Sequence, residues 1–238
     1  MKNIIWIAKK EWFGYLVNPL SYIFSGLFLL ISSWLFFQDF FVVKQAETRA
    51  LWTVMTFLFS IFIPAISMGL IAEEKRSGSW EVLFSLPISE VEFVLGKFFG
   101  SLAYIFFIII MASPIILTVG YLGDPEWGLI FGGGLGMWFL AASYLASGLF
   151  GSSLSRQPIG GFVFTTLFLF LNNFIGQDFF LSKISSPKIA DFIGYFSLNL
   201  HSLKMSSGMM ALNDIMFYIS WIVIFLILTV MSLKLRDK

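Results

Sequence analysis

The sequence predicts an all-α polytopic membrane protein with six membrane-spanning helices. Of the 238 residues, 58% are apolar and only 12% are charged, against roughly 25% charged residues in ordinary soluble domains. Charged residues are absent from six long stretches, and a helix needs about 20 largely apolar residues to cross the hydrocarbon core. Residues 105–110 (IFFIII) are apolar at every position, whereas the strands of a membrane barrel alternate. The spans are therefore helices rather than strands.

The whole chain, 1–238, is predicted to form one transmembrane domain. The expected spans cover residues 20–37, 52–72, 98–122, 128–150, 159–176 and 215–233. Residues 1–18 place an apolar arc on one side of a helix and most of the polar residues, including Lys2, Lys9 and Lys10, on the other. This pattern predicts an amphipathic helix lying in the membrane interface. The alternative is a first span that begins early.

Two features inside the spans predict how they pack. Pro64 and Pro114 should kink the second and third spans, because proline removes a backbone hydrogen bond. Small residues recur every four positions in the fourth span and allow helices to approach closely. They are Gly132 and Gly136, and Ser143, Ser147 and Gly151. Either packing within the chain or a subunit interface would explain them.

The distribution of basic residues predicts the orientation. Of the fifteen lysines and arginines, ten lie at the two termini or in the second and fourth loops. Loops rich in Lys and Arg stay in the cytoplasm. Both termini are therefore expected to be cytoplasmic.

The second loop, residues 73–97, is expected to contain a short helix. Gly78 can turn the chain and Ser79 can cap a new helix. The helix would carry one apolar stripe at positions i, i+3 and i+4, made by Trp80, Leu83 and Phe84. Pro87 would end it. A capping box over residues 89–92 would then open the helix that leads into the third span.

The fifth loop, residues 178–214, is long and too apolar for disorder. Short helices packed at the outer face are expected there, with a partial re-entry into the membrane as the alternative. The loop contains His201, the one histidine of the chain. A general base needs a partner that the sequence does not identify, so a structural histidine is the favoured interpretation.

The chain lacks the residues that enzymes and ion-coupled carriers need. It has no Gly-x-x-x-x-Gly-Lys-Ser/Thr loop for phosphates, no cysteine and no His-Glu-x-x-His. The predicted spans contain no charged residue, and their strongest polar pair is Asn172–Asn173. We expect no catalytic, cofactor or metal site, and we expect energy for transport to enter from a separate subunit at the cytoplasmic face.

The second loop resembles a run found in the permease subunits of ABC-2-type exporters. The matching segments are residues 74–83 (EKRSGSWEVL), 87–89 (PIS) and 94–97 (VLGK). Ser79 stands where that family usually has threonine. The run before the last span, from His201 to Gly208 with Asp214 and Tyr218, resembles gliding-motility-associated permeases, although Ser207 replaces their usual arginine.

The resemblance implies a half-transporter in the bacterial inner membrane. A second permease, identical or different, would complete the path, and a cytoplasmic ATPase would bind and hydrolyse ATP beneath it. The resemblance also allows an additional envelope subunit and a link to gliding motility or secretion. A membrane anchor that does not transport is the alternative, and the substrate is not indicated.

The resemblance assigns the ATPase-coupling role to the second loop. The residues implied are Glu74, Gly78, Ser79, Trp80, Glu81, Leu83, Phe84 and Pro87. For the two glutamates, the alternative is an ordinary solvated charge.

Overall fold

The computed structural model describes residues 2–43, 48–79, 88–123, 126–183 and 186–235, and these residues form helices and no strand. The helices are α1 (Lys2–Val17), α2 (Pro19–Val43), α3 (Arg49–Ser67), α4 (Gly69–Arg76), α5 (Glu90–Met111), α6 (Ser113–Leu122), α7 (Trp127–Leu154), α8 (Pro158–Ile175), α9 (Asp178–Leu181), α10 (Pro187–Tyr195), α11 (Leu198–Ser206) and α12 (Leu212–Lys234).

Six helical stretches in the described part of the chain are long and apolar enough to cross a membrane. They are α2, α3 with α4, α5 with α6, α7, α8 and α12, and they coincide with the six predicted stretches. The all-α, six-span prediction is confirmed. We call the end of the bundle that carries the last turns of α4, α7 and α12 and the first turns of α5 and α8 the terminal face. The opposite end is the far face.

Three of the membrane-spanning stretches extend beyond the predicted spans and so include charged residues at their ends, whereas the predicted spans contained none. The predicted capping box opens α5: the Ser89 side chain accepts a hydrogen bond from the Glu92 backbone, and the Glu92 side chain accepts one from the Ser89 backbone. The helix therefore starts at Glu90, and Lys97 lies within it. Likewise α12 starts at Leu212, which places Asp214 in its first turn.

Both prolines lie close to a break in their span. The second span is interrupted at Met68, four residues after Pro64. The Ser152 hydroxyl accepts from the Ile71 and Ala72 amides, each at 3.1 Å, and so provides for two backbone donors at the start of α4. The third span is interrupted at Ala112, two residues before Pro114.

The small residues of α7 allow close packing within the chain. A Cβ added to Gly132 would lie 2.6 Å from the Met205 carbonyl oxygen of α11, and one added to Gly151 would lie 2.2 Å from the Thr165 hydroxyl of α8. Ser147 accepts a hydrogen bond from the Trp221 indole of α12 at 3.1 Å. Of the two interpretations of this pattern, these contacts match packing within the chain.

The long fifth loop folds into α9, α10 and α11, in agreement with the short helices that were predicted. Gly208 then turns the chain toward α12 with a φ of 78°, a conformation that favours glycine. The last turn of α11 is closed by hydrogen bonds from the Gly208 amide to the Met205 carbonyl and from the Met209 amide to the Lys204 carbonyl. The glycine of the run before the last span is thus a helix-terminating residue.

Candidate coupling site

The first helix lies along α5 at the terminal face, and two glycines permit the contact. A Cβ added to Gly96 would lie 2.6 Å from the Ile7 Cβ, and one added to Gly100 would lie 2.7 Å from the Ala8 carbonyl oxygen. Contacts this short do not occur between real side chains. Gly96, the glycine of the VLGK segment, is therefore needed for α1 to pack closely against α5.

The helix predicted for the amino terminus is present, but its apolar residues lie on two sides. Ile7 and Ala8 face α5. Trp6 and Phe13 are 70% and 59% exposed, beside the exposed Lys9. Exposed aromatic and basic residues on one helix are typical of a helix at a membrane interface, and that location stays a prediction.

Lys97 is the centre of an ion-pair network that joins three helices. The lysine is only 5% exposed. Its Nζ lies 2.7 Å from Glu74 Oε1 on α4 and 3.2 Å from Glu11 Oε2 on α1. A buried ammonium group needs such partners, because leaving it unpaired is strongly destabilising. We call Glu11, Glu74 and Lys97 the three-helix clamp.

A polar cleft of about 320 Å³ opens beside the clamp. All three clamp residues line it, together with Glu73 and Asn18. The second carboxylate oxygen of Glu74 is buried without a hydrogen-bond partner. The ordinary solvated charge considered for Glu74 is therefore wrong, since its side chain is only 17% exposed and is paired with Lys97.

Tyr15 attaches α1 further along α5. Its ring stacks on Tyr104 with centroids 4.5 Å apart, and its hydroxyl lies 3.1 Å from the Ser101 hydroxyl. Burial, together with the neighbouring Glu11 carboxylate, raises the pKa of Tyr15 far above its ordinary value. The phenol therefore stays neutral and does not add a third negative charge to those of Glu11 and Glu74.

The clamp connects the two ends of the loop to which the resemblance assigns the coupling role. Glu74 lies near the start of this loop, residues 73–97, and Lys97 lies at its end. Gly78 turns the chain with a φ of 72°, as predicted. Ser79 lies 2.9 Å from the Ser77 hydroxyl and donates to the Glu74 carbonyl at 3.3 Å, which ties it to the end of α4. The other coupling residues lie outside the described residues: Trp80, Glu81, Leu83, Phe84 and Pro87.

The predicted polar pair of the fifth span has two separate structural roles. Asn173 donates to the Ser60 hydroxyl of α3 and accepts from the Tyr144 hydroxyl of α7, both at 2.6 Å. Asn172 donates to the Phe196 carbonyl at 2.8 Å and accepts from the Leu198 amide at 3.0 Å. The pair therefore joins three spans and holds the start of α11.

The structure gives His201 the partner that the sequence did not identify. His201 is buried, and its Nδ1 lies 2.5 Å from the Asp214 carboxylate on α12. The sequence did not reveal the pair because the two residues lie in different helices. No group of three or more side chains that could hold a metal occurs among the described residues.

Comparison with known proteins places the chain in a family. The family model described as ABC-2 family transporter protein matches residues 5–237, nearly the whole chain. The chain belongs to the ABC-2 transporter family. It is therefore a multi-pass permease subunit of an ABC transporter, the transmembrane part rather than the ATPase, and permeases of this family normally work with a cytoplasmic ATPase subunit. No curated protein matches it in a sequence search.

Two members of the clamp of this permease were not predicted as site residues. Glu11 lies in a segment interpreted as interfacial, and Lys97 was recognised only as the end of the VLGK segment. The capping box that starts α5 was a usable signal, because it extends the helix back through Lys97. Nothing in the sequence indicates that Glu11, 86 residues away, meets it.

Proposed function

We propose that this permease is one half of an ATP-driven exporter. In this proposal a second permease completes the path, and a cytoplasmic ATPase docks at the terminal face through the loop after the second span. The terminal face is then cytoplasmic, in agreement with the distribution of lysine and arginine. ATP is bound by the partner subunit alone.

The observation that supports this proposal best is the three-helix clamp. One buried ammonium group holds the helix before the coupling loop, the helix after it and α1. A force applied to the loop by a partner would therefore reach the second and third spans and α1 together. A surface loop without this attachment would transmit little of that force to the spans.

Copurification with the ATPase tests the docking. Trp80→Ala should lower recovery of the co-expressed ATPase, because truncating a buried aromatic anchor typically costs about 2 kcal/mol or more. Leu83→Ala should act in the same direction. Lys183→Ala, in the far-face loop, is the control and should leave recovery unchanged. Wild-type recovery in both loop variants would remove the loop as the joint, and the exporter mechanism would be given up.

Thiol labelling tests the orientation, because the chain has no native cysteine. In intact cells, an impermeant thiol reagent should modify Gly123→Cys and Ser186→Cys at the far face. Ser79→Cys and Ser232→Cys should stay unmodified. The opposite pattern would invert the proposed orientation.

The purified permease without its partner should show no specific nucleotide binding, since no phosphate-binding loop occurs in its sequence. Measurable ATP binding would contradict the proposal that only the partner subunit binds ATP.

We further propose a role in gliding motility or envelope secretion, supported by the run from His201 to Tyr218 that resembles gliding-type permeases. Loss of gliding or secretion on deletion of the gene would support it, and wild-type behaviour would refute it.

A further inference from the structure

We propose that His201 and Asp214 form a proton-binding site at the far face of the permease. This inference is independent of the ATPase partner. It rests on the geometry of the pair, on the groups that surround it and on the three helices that it joins.

Both ring nitrogens of His201 face hydrogen-bond acceptors. Nδ1 lies 2.5 Å from the Asp214 carboxylate, and Nε2 lies 2.8 Å from the Tyr195 backbone carbonyl. A carbonyl oxygen can only accept, so Nε2 must carry a hydrogen. A neutral imidazole would then present the bare lone pair of Nδ1 to the carboxylate. The two contacts are satisfied together when the pair holds one further proton.

The surroundings favour the form in which this proton is on His201 and Asp214 is ionised. Asp214 lies in the first turn of α12, where the helix dipole stabilises a negative charge. The His201 ring stacks on Phe217, with centroids 4.2 Å apart and 24° between the planes. An aromatic face at this distance attracts a cation. The structure thus offers an imidazolium three favourable neighbours: a carboxylate, a carbonyl and a ring.

The other titratable and charged groups near the pair are few. Tyr195 of α10 and Tyr218 of α12 have rings 5.1 and 6.1 Å from the imidazole. Lys204, on the same helix as His201, is exposed, and Arg49 of α3 donates to the Ser207 hydroxyl at 2.6 Å. Lys188 and Asp191 of α10 are exposed. α7 and α8, which also pack against α11, carry no charged residue, and α7 contributes the phenol of Tyr144 near Tyr218. Asp214 is therefore the carboxylate that pairs with the imidazole.

The proton joins three elements of the far face. His201 belongs to α11, Asp214 to α12, and the Tyr195 carbonyl to the end of α10. His201 and Asp214 are only 1% and 4% exposed. Loss of the proton would leave two lone pairs facing each other across 2.5 Å. The bond between α11 and α12 should therefore weaken when the proton leaves.

A single-site measurement can detect this proton, because the chain contains one histidine. Selective ¹⁵N-histidine labelling of the purified permease in lipid nanodiscs gives ring signals from His201 alone. At about pH 7.5, where a free imidazole is mostly neutral, the wild type should show both nitrogens protonated. In Asp214→Asn, the amide can donate to Nδ1, so the ring should be neutral with hydrogen on Nε2 only.

Thermal stability provides the second readout. The melting temperature is measured as the pH is raised until the imidazolium signal disappears. Over this range the melting temperature of the wild type should fall relative to that of Asp214→Asn, because only the wild type loses the His201–Asp214 ion pair. A neutral wild-type ring at about pH 7.5 would overturn the proposal. So would protonated nitrogens that persist in Asp214→Asn, because the carboxylate would then not hold the proton.

Discussion

Replacing Lys97 by methionine tests the three-helix clamp most severely. Methionine keeps an unbranched chain of similar length but removes the ammonium group that Glu11 and Glu74 share. Removing one partner of a buried ion pair costs about 3–5 kcal/mol. The side chains of Glu11 and Glu74 are 20% and 17% exposed, so both carboxylates keep some hydration. We therefore take the lower end, about 3 kcal/mol.

The expected consequence is local opening of α1, because the Lys97–Glu11 ion pair joins α1 to α5. About 3 kcal/mol corresponds to roughly 100-fold in an equilibrium constant. Amide hydrogen exchange across α1, measured in nanodiscs by mass spectrometry, should therefore accelerate by about that factor. Glu11→Gln should accelerate it far less, since Lys97 keeps Glu74 as a partner. Lys204→Met, at an exposed lysine of α11, is the control. Exchange in Lys97→Met that matches the control would refute the clamp.

Three further substitutions have defined outcomes in thermal unfolding of the purified permease. Gly100→Ala forces a Cβ into α1 and should lower the free energy of unfolding by about 1–3 kcal/mol. In the control Gly128→Ala the added Cβ meets open space, so stability should not change. Equal melting temperatures for the two variants would contradict the packing of α1 on α5. Ser152→Ala leaves two amides of α4 without their acceptor and should cost about 1–3 kcal/mol; no loss would mean that these amides have another partner. Asn173→Leu removes hydrogen bonds to two spans and should cost about 1 kcal/mol; a stabilised variant would refute that role.

The six spans could be predicted because a span is a local property of the sequence. Twenty apolar residues in succession identify a helix whatever its neighbours are, and the capping box at Ser89 marks the start of α5 in the same way. The turn at Gly78 also follows from its own residue type. These features need no knowledge of which helices meet.

The clamp and the proton site could not be predicted, because each depends on which helix faces meet. Glu11 and Lys97 are separated by 86 residues, and no periodic pattern connects them. His201 and Asp214 are close in sequence, but the turn at Gly208 decides that α11 and α12 bring them together. An apolar arc on α1 likewise could not show which side would pack on α5.

Docking of an ATPase on the loop between the second and third spans can be tested by site-specific crosslinking. A photo-crosslinker is attached to Ser79→Cys, a described residue of that loop, in the cysteine-free permease co-expressed with its ATPase. We expect a covalent product that contains the ATPase subunit from Ser79→Cys and none from Lys183→Cys at the far face. Capture of the ATPase from Lys183→Cys, with none from Ser79→Cys, would contradict it.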